Sequence, residues 1–172
     1  AGHRGLSAFI LEKGAPGFKF GERLNLLAPH AIGELVYEDC RIPRRNLLGV
    51  EGEGFKISMY NLNIYRTTVG AQGVGIAQAA FDAAFEYAQA RVTFGQPIIG
   101  HQSIGNMLAD MATQIKAARL LVYHAAWLRD SGVERVAKDA SMAKLFGTEM
   151  AKRVVDMALQ IHGGNGLVRG SV

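Results

Sequence analysis

Apolar residues recur along most of the chain at alternating spacings of three and four, the period that places side chains on one face of an α-helix. Three segments show the pattern. In the first, the face consists of Phe55, Met59, Leu62, Arg66, Val69, Gly73, Ile76, Ala80, Ala83 and Tyr87. In the second and third, it consists of Ile104, Leu108, Met111, Ile115, Ala118, Val122 and Ala125, then Ala143, Gly147, Met150, Val154, Met157 and Ile161. Such heptad-like faces predict long helices in an antiparallel bundle, with crossing angles near +20°.

Glycine and proline separate this helical part from a different N-terminal part. Three of the four prolines precede residue 54, and none follows Pro97. Between these turn signals, residues 6–12, 18–20 and 33–39 have the composition of short strands. Few short strands with frequent turns are typical of a β-barrel or β-sandwich.

The chain is therefore expected to be mainly α. Part of a β-barrel or β-sandwich domain, residues 1–52, would precede a helical bundle domain, residues 53–172. The bundle helices would be interrupted at residues 91–100 and 130–134, where glycine provides the stop signals.

Composition and charge exclude several classes of protein. With 49% hydrophobic and 20% charged residues, the chain has the mix of a globular domain, not of a disordered one. No apolar run approaches the roughly 20 residues of a membrane span. The net charge of +4 is spread along the chain without a basic stripe, which argues against nucleic-acid binding. The single cysteine, Cys40, fits a reducing compartment, and no histidine has metal-ligand spacing.

Arg66 is an unexpected residue on the apolar face of the first helix. A buried guanidinium requires an anion, because an unpaired charge in an apolar environment costs several kcal/mol. The partner could be an internal carboxylate at the bundle edge, or a ligand or another domain. Asn63 and Tyr65 add hydrogen-bonding groups nearby.

Three further segments have both an ordinary structural explanation and a functional one. Arg91 and the following Gly-x-Pro could simply end a helix, and His101 with Gln102 could simply begin the next one. A helix N-terminus also attracts anions. The run of residues 160–166 holds three glycines within four residues, more than a helix cap requires, and could cradle a phosphate.

Together these segments resemble the acyl-CoA dehydrogenase family of flavoproteins. The resemblance extends over nearly the whole chain and rests on GEGFKISM (52–59), NIYR (63–66), ARVTFGQPI (90–98), HQSIGNMLADM (101–111), AAW (125–127) and QIHGGNG (160–166). It implies a middle β domain followed by a four-helix C-terminal bundle. The chain would cover the end of the former and three helices of the latter.

The resemblance also implies roles for individual residues. Cofactor-binding residues for FAD would be Arg91, Thr93, His101, Gln102, Gln160, Gly163 and Gly164. Arg91 and Thr93 would reach the FAD pyrophosphate of a neighbouring subunit, so a homo-oligomer, commonly a tetramer, is implied. Asn63 and Arg66 would contact the acyl-CoA substrate, although the family usually has Asp at the position of Asn63.

The implied reaction is α,β-dehydrogenation of an acyl-CoA thioester, with electrons passing to electron-transferring flavoprotein. The usual catalytic Glu is expected beyond Val172, so we predict no catalytic residue within the chain and no activity of the 172 residues alone. Tyr65 replaces the carboxylate that a minority of members use, and tyrosine is a poor base. The expected location is a bacterial cytoplasm or a mitochondrial matrix. An acyl-CoA oxidase and a non-catalytic helical assembly or binding module remain alternatives.

Overall fold

The computed structural model describes residues 2, 5–26 and 30–170 of the chain. The chain folds as two compact units, Ala1–Tyr60 and Asn61–Val172. Short antiparallel strand pairs characterise the first unit, and long packed helices the second. The predicted mainly α fold is thereby confirmed.

The described residues of the first unit form two antiparallel strand pairs. Its strands are β1 (Ala8–Phe9), β2 (Phe18–Leu24), β3 (Ile32–Tyr37) and β4 (Leu47–Leu48). β1 pairs with β4 and β2 pairs with β3. The strand predicted over residues 6–12 is thus only two residues long, whereas the one predicted over 18–20 extends to Leu24. Phe20 and Leu35 are exposed, because a two-stranded ribbon has no second layer to cover its apolar side chains.

Three helices dominate the structure: α1 (Gly54–Ala90), α2 (Gln102–Asp130) and α3 (Ala137–His162). The helix interruptions lie where the sequence predicts them. The apolar faces predicted for α2 and α3 are also correct, since Met111, Ile115, Met150 and Val154 are the largest fully buried side chains of the described residues. The core of the second unit therefore lies along the line where α2 and α3 meet α1.

The face predicted for α1 is wrong by about one residue, which corresponds to roughly 100° around a helix. Val69 and Ile76 are 36% and 51% exposed. The buried positions of the helix are mostly glycine and alanine: Gly54, Gly70, Gly73, Val74, Ala77, Ala84 and Ala88, of which Gly73 belongs to the predicted face. Periodicity favours the larger apolar side chains, whereas α1 packs through its smallest residues.

Close backbone contact explains the burial of these small residues. An ideal Cβ on Gly73 would lie 2.6 Å from the carbonyl oxygen of Gly147 in α3, and one on Gly147 would lie 2.8 Å from that of Gly70. We call Gly70, Gly73 and Gly147 the glycine crossing. Gly70 also meets Ala143, so residue numbers rise together along both helices, and α1 and α3 run parallel.

Candidate functional site

The segment after α1 is a tight β-hairpin. Its strands are β5 (Val92–Thr93) and β6 (Gln96–Pro97), which pair antiparallel. Phe94 and Gly95 connect them with φ angles of 51° and 83°. Positive φ at both central residues is the geometry of a type I′ hairpin turn. The Gly-x-Pro motif after α1 therefore builds a hairpin as well as ending a helix.

Arg91 lies at the junction between α1 and this hairpin. Its amide donates to the carbonyl of Tyr87 at 2.8 Å, and its own carbonyl accepts from the amide of Ile98 at 2.8 Å. The backbone of Arg91 is thus held from both sides. Its position relative to the last turn of α1 is fixed, while its exposed side chain can reach a ligand.

His101 links the hairpin to the start of α2. Gln96 Nε2 donates to His101 Nδ1 at 3.2 Å, and His101 Nε2 donates to the carbonyl of Thr93 at 3.4 Å. Among the described residues, no side chain caps the N-terminus of α2 with a hydrogen bond. The ring of His101 therefore braces the Thr93 strand and does not cap its helix.

The glycine-rich segment after α3 turns sharply at Gly163. This residue has φ 58° and ψ −135°, a conformation that is essentially restricted to glycine. A short 3₁₀ turn, Gly163–Leu167, follows. An ideal Cβ on Gly163 or Gly164 would meet no atom of the described chain within 4 Å. The backbone here is open to a ligand, as a cradle for phosphate requires.

These two segments, about 70 residues apart in sequence, form one cleft of about 310 Å³. Its lining residues are Tyr87, Arg91, Thr93, Ile98, Ile161, His162, Gly163, Gly164 and Asn165. Four of the residues predicted to bind the cofactor, Arg91, Thr93, Gly163 and Gly164, thereby lie together.

The other three predicted cofactor residues lie around this cleft. His101 adjoins it through Thr93. Gln160 lines a neighbouring cleft of about 330 Å³, which shares Gly163 with the first. Gln102, the exposed first residue of α2, lines neither.

Several residues of the cleft were not predicted individually, above all Tyr87, and Asn165 within the run of residues 160–166. Asn165 Nδ2 donates to the Tyr87 hydroxyl at 3.1 Å, although the residues are 78 positions apart. The Tyr87 ring also stacks on His162, with centroids 4.7 Å apart. Tyr87 stands in the periodic pattern as another apolar residue, so its distinguishing signal is its position four residues before Arg91.

The chemistry of the cleft fits part of a phosphorylated nucleotide cofactor. Arg91 supplies a planar fork of N–H donors that matches a diphosphate, and the open glycine backbone allows close approach. Ile98 and Ile161 add apolar surface for a base or sugar. At about 310 Å³ the cleft is at the lower end of ligand pockets and would enclose one portion of a dinucleotide.

Asn63 and Arg66 form a separate pair near the other end of α1. Arg66 Nη1 donates to Asn63 Oδ1 at 2.8 Å. In the described part of the chain, no carboxylate lies within salt-bridge distance of Arg66. The remaining guanidinium donors can therefore serve an anionic or carbonyl group. Arg66 precedes the last residue of α1 by 24 positions, roughly 36 Å at 1.5 Å per residue, so this pair is not part of the cleft.

Residues 2, 5–26 and 30–170 contain neither a metal site nor a membrane span. No three His, Cys, Asp or Glu side chains among them could jointly hold a metal ion. Within the same residues, no helix has both the length and the apolar character that crossing a bilayer demands.

Comparison with known proteins gives consistent matches. The family model described as "Acyl-CoA dehydrogenase, C-terminal domain" matches residues 52–172. The acryloyl-CoA reductase (NADH) of Anaerotignum propionicum is 48% identical over 170 residues, which are 98% of this chain and 43% of that protein. The acyl-CoA dehydrogenase of Bacillus subtilis is 46% identical over 98% of this chain and 45% of its own length. The chain thus spans less than half the length of these relatives.

Solved structures agree with these matches. Butyryl-CoA dehydrogenase from Megasphaera elsdenii superposes with a TM-score of 0.93 at 46% identity, over 97% of this chain and 44% of that one. The FAD complex of PigA superposes with a TM-score of 0.91 at 33% identity, over 99% of this chain and 45% of that one. By sequence alone, CarC of the caffeyl-CoA reductase–Etf complex from Acetobacterium woodii is 40% identical, over 98% of this chain and 45% of its own length.

Proposed function

The chain belongs to the acyl-CoA dehydrogenase family, and we propose that it forms the FAD-clamping part and a substrate-contacting part of an enzyme that desaturates an acyl-CoA thioester between Cα and Cβ. The observation that carries the proposal is the cleft that joins Arg91 to Gly163 and Gly164. Its lining combines a guanidinium and a hydroxyl with open glycine backbone, groups that suit a diphosphate, and the family uses FAD.

In this proposal Arg91 would hold the FAD pyrophosphate through the N–H donors of its guanidinium. The Thr93 hydroxyl adds a donor, and its strand is kept in place by His101. Gly163 and Gly164 present backbone to the adenosine side, with Gln160 next to them in the adjoining cleft. Gln102 would approach the same cofactor from the start of α2.

Asn63 and Arg66 would contact the acyl-CoA. Arg66 offers a cation for the charge that develops on the thioester oxygen when the α-proton leaves, and its bond to Asn63 fixes its orientation. Bound FAD supplies the electron acceptor for the β-hydride. We propose that the catalytic base is a Glu of the whole protein outside these 172 residues, because the chain spans less than half the length of its relatives.

The separation of the two sites supports an oligomer. The cleft lies roughly 36 Å from Arg66 along α1. This distance is longer than the distance between the flavin ring and the pyrophosphate of one FAD. The clamp would therefore hold the FAD of a neighbouring subunit, as in a homotetramer. We further propose electron-transferring flavoprotein as the acceptor, in keeping with the Etf complex of CarC, and a bacterial cytoplasm or mitochondrial matrix as the location.

The test uses full-length protein under anaerobic conditions. Addition of an acyl-CoA from a panel of chain lengths should bleach the flavin absorbance as the cofactor is reduced. If no thioester bleaches it, the dehydrogenase proposal is wrong.

A second measurement tests the clamp itself. Arg91→Ala should weaken FAD binding by about ten- to a hundredfold, the loss of a hydrogen bond to a charged group. Arg135→Ala is the matched control, because Arg135 is exposed in the loop between α2 and α3 and does not line the cleft. Equal FAD retention in both variants would refute the role of Arg91.

A further inference from the structure

We infer that Tyr87 is the positioning residue of the cleft, holding both ends of the Gly163–Gly164 pair at a fixed distance from Arg91. The inference rests on the proposed function, because it takes the ligand of the cleft to be the FAD diphosphate and adenosine. It adds a residue that touches no reacting atom and acts through the backbone it holds.

The contacts of Tyr87 lie on either side of the glycine pair. Its ring stacks on His162, the residue before Gly163, at an interplanar angle of 27°. Its hydroxyl accepts from the side chain of Asn165, the residue after Gly164, at 3.1 Å. One side chain therefore contacts both neighbours of the turn.

The stacking partner is itself fixed. His162 is only 8% exposed, and its Nδ1 lies 2.8 Å from the carbonyl oxygen of Ala158. A carbonyl only accepts, so Nδ1 carries the proton and donates. This hydrogen bond sets the plane of the imidazole, and the Tyr87 ring packs on a surface that cannot rotate freely.

Tyr87 is also joined to the opposite wall of the cleft. The carbonyl of Tyr87 accepts from the amide of Arg91, and the Arg91 carbonyl accepts from Ile98. Tyr87 thus connects the arginine that would bind the diphosphate to the glycines that would face the adenosine. The side chain of Tyr87 therefore contacts the glycine wall, while its backbone belongs to the helical turn that ends at Arg91.

Such a connection is needed because two successive glycines have more backbone freedom than any other pair. A turn that binds ligand through its backbone must lose that freedom either in the apoprotein or on binding. Losing it beforehand strengthens binding, since less ordering remains to be done. The Tyr87 contacts provide this prior ordering.

The decisive variant is Tyr87→Phe, which keeps the ring stacked on His162 and removes only the acceptor for Asn165. FAD affinity of the apoprotein should fall about three- to tenfold, the range of one neutral hydrogen bond, while the melting temperature of the apoprotein falls by no more than a few degrees. Tyr87→Ala should lose more FAD affinity than Tyr87→Phe. The difference in affinity between the two variants measures the contribution of the ring stacked on His162. Tyr123→Phe removes a hydroxyl from an exposed tyrosine of α2 and should change neither quantity.

A double-mutant cycle separates positioning from a general structural role. Asn165→Ala should weaken FAD binding, and adding Tyr87→Phe to it should weaken binding no further, because the hydroxyl acts through that amide. Additive losses would overturn the inference, as would an unchanged affinity in Tyr87→Phe.

Amide hydrogen exchange of the apoprotein provides a readout that needs no FAD. Exchange over residues 163–166 should be faster in Tyr87→Phe than in Tyr123→Phe, and equal rates would contradict the inference. If the wild-type protein binds no FAD but exchange is still faster in Tyr87→Phe than in Tyr123→Phe, the proposed function fails and the positioning role stands. If Arg91→Ala lowers affinity while Tyr87→Phe does not, only the positioning role fails.

Discussion

The same substitution at two glycines of α1 should have opposite effects on stability. Gly73 belongs to the glycine crossing, where an ideal Cβ would lie 2.6 Å from the carbonyl oxygen of Gly147. Gly75 is exposed two residues further along, and an ideal Cβ there would meet no described atom within 4 Å. Gly73→Ala and Gly75→Ala therefore form a matched pair within one helix.

The expected magnitudes follow from two opposing terms. Replacing glycine by alanine inside a helix favours folding by about 1 kcal/mol, and this gain applies to both sites. Carbon–oxygen contacts between helices normally lie at about 3.3–3.6 Å, so the methyl group of Gly73→Ala would force α1 and α3 apart by roughly 0.7 Å. The atom in the way is backbone and cannot rotate aside. Overpacking of this kind costs about 1–3 kcal/mol.

We therefore expect Gly75→Ala to stabilise the protein by about 1 kcal/mol and Gly73→Ala to destabilise it by up to about 2 kcal/mol. Urea unfolding followed by far-UV circular dichroism, with both variants and the wild type under identical conditions, measures the difference. If Gly73→Ala unfolds at the same or a higher urea concentration than Gly75→Ala, the close crossing of α1 and α3 is wrong.

Two further substitutions test the binding sites. Gly164→Ala should not lower stability, because its Cβ meets no atom of the described chain. It should weaken FAD binding by placing a methyl group in the cleft. Calorimetric FAD titration beside a thermal melt checks both expectations, and undiminished affinity contradicts the second. Arg66→Gln should raise the KM for acyl-CoA by about ten- to a hundredfold and leave the FAD content of the purified protein unaltered. Steady-state kinetics with flavin quantification measures both quantities. If the variant loses FAD while its KM is unchanged, the assignment of Arg66 to the acyl-CoA site is wrong.

Hydrophobic periodicity predicts the parts of the fold in which burial follows side-chain size. In α2 and α3 the large apolar residues are also the buried ones, as Met111 and Met150 show, so the predicted faces are correct. In α1 the buried residues are mostly glycine and alanine, and Ile76 is half exposed. A period cannot indicate how closely two backbones approach, which is why it misplaces the face of α1.

The candidate site shows a similar division. The glycine run near Gly163 and the arginine after α1 carry chemical signals that sequence can identify. Tyr87 carries none, because its role depends on Asn165, a partner 78 residues away that only the folded chain brings within 3.1 Å. Positioning residues of this kind are defined by tertiary geometry and escape motif reasoning.

The glycine crossing fixes the position of α1 relative to α3, and the helix lengths beyond it determine how the two walls of the cleft align. From it, α1 runs 18 residues to Arg91 and α3 runs 16 residues to Gly163, about 27 Å and 24 Å respectively, so the two walls arrive at nearly the same height. Inserting one residue on either helix above the crossing would displace one wall by about 1.5 Å and turn it by about 100°. The length of helix between crossing and cleft is therefore under constraint, even where the individual side chains along it are free to vary.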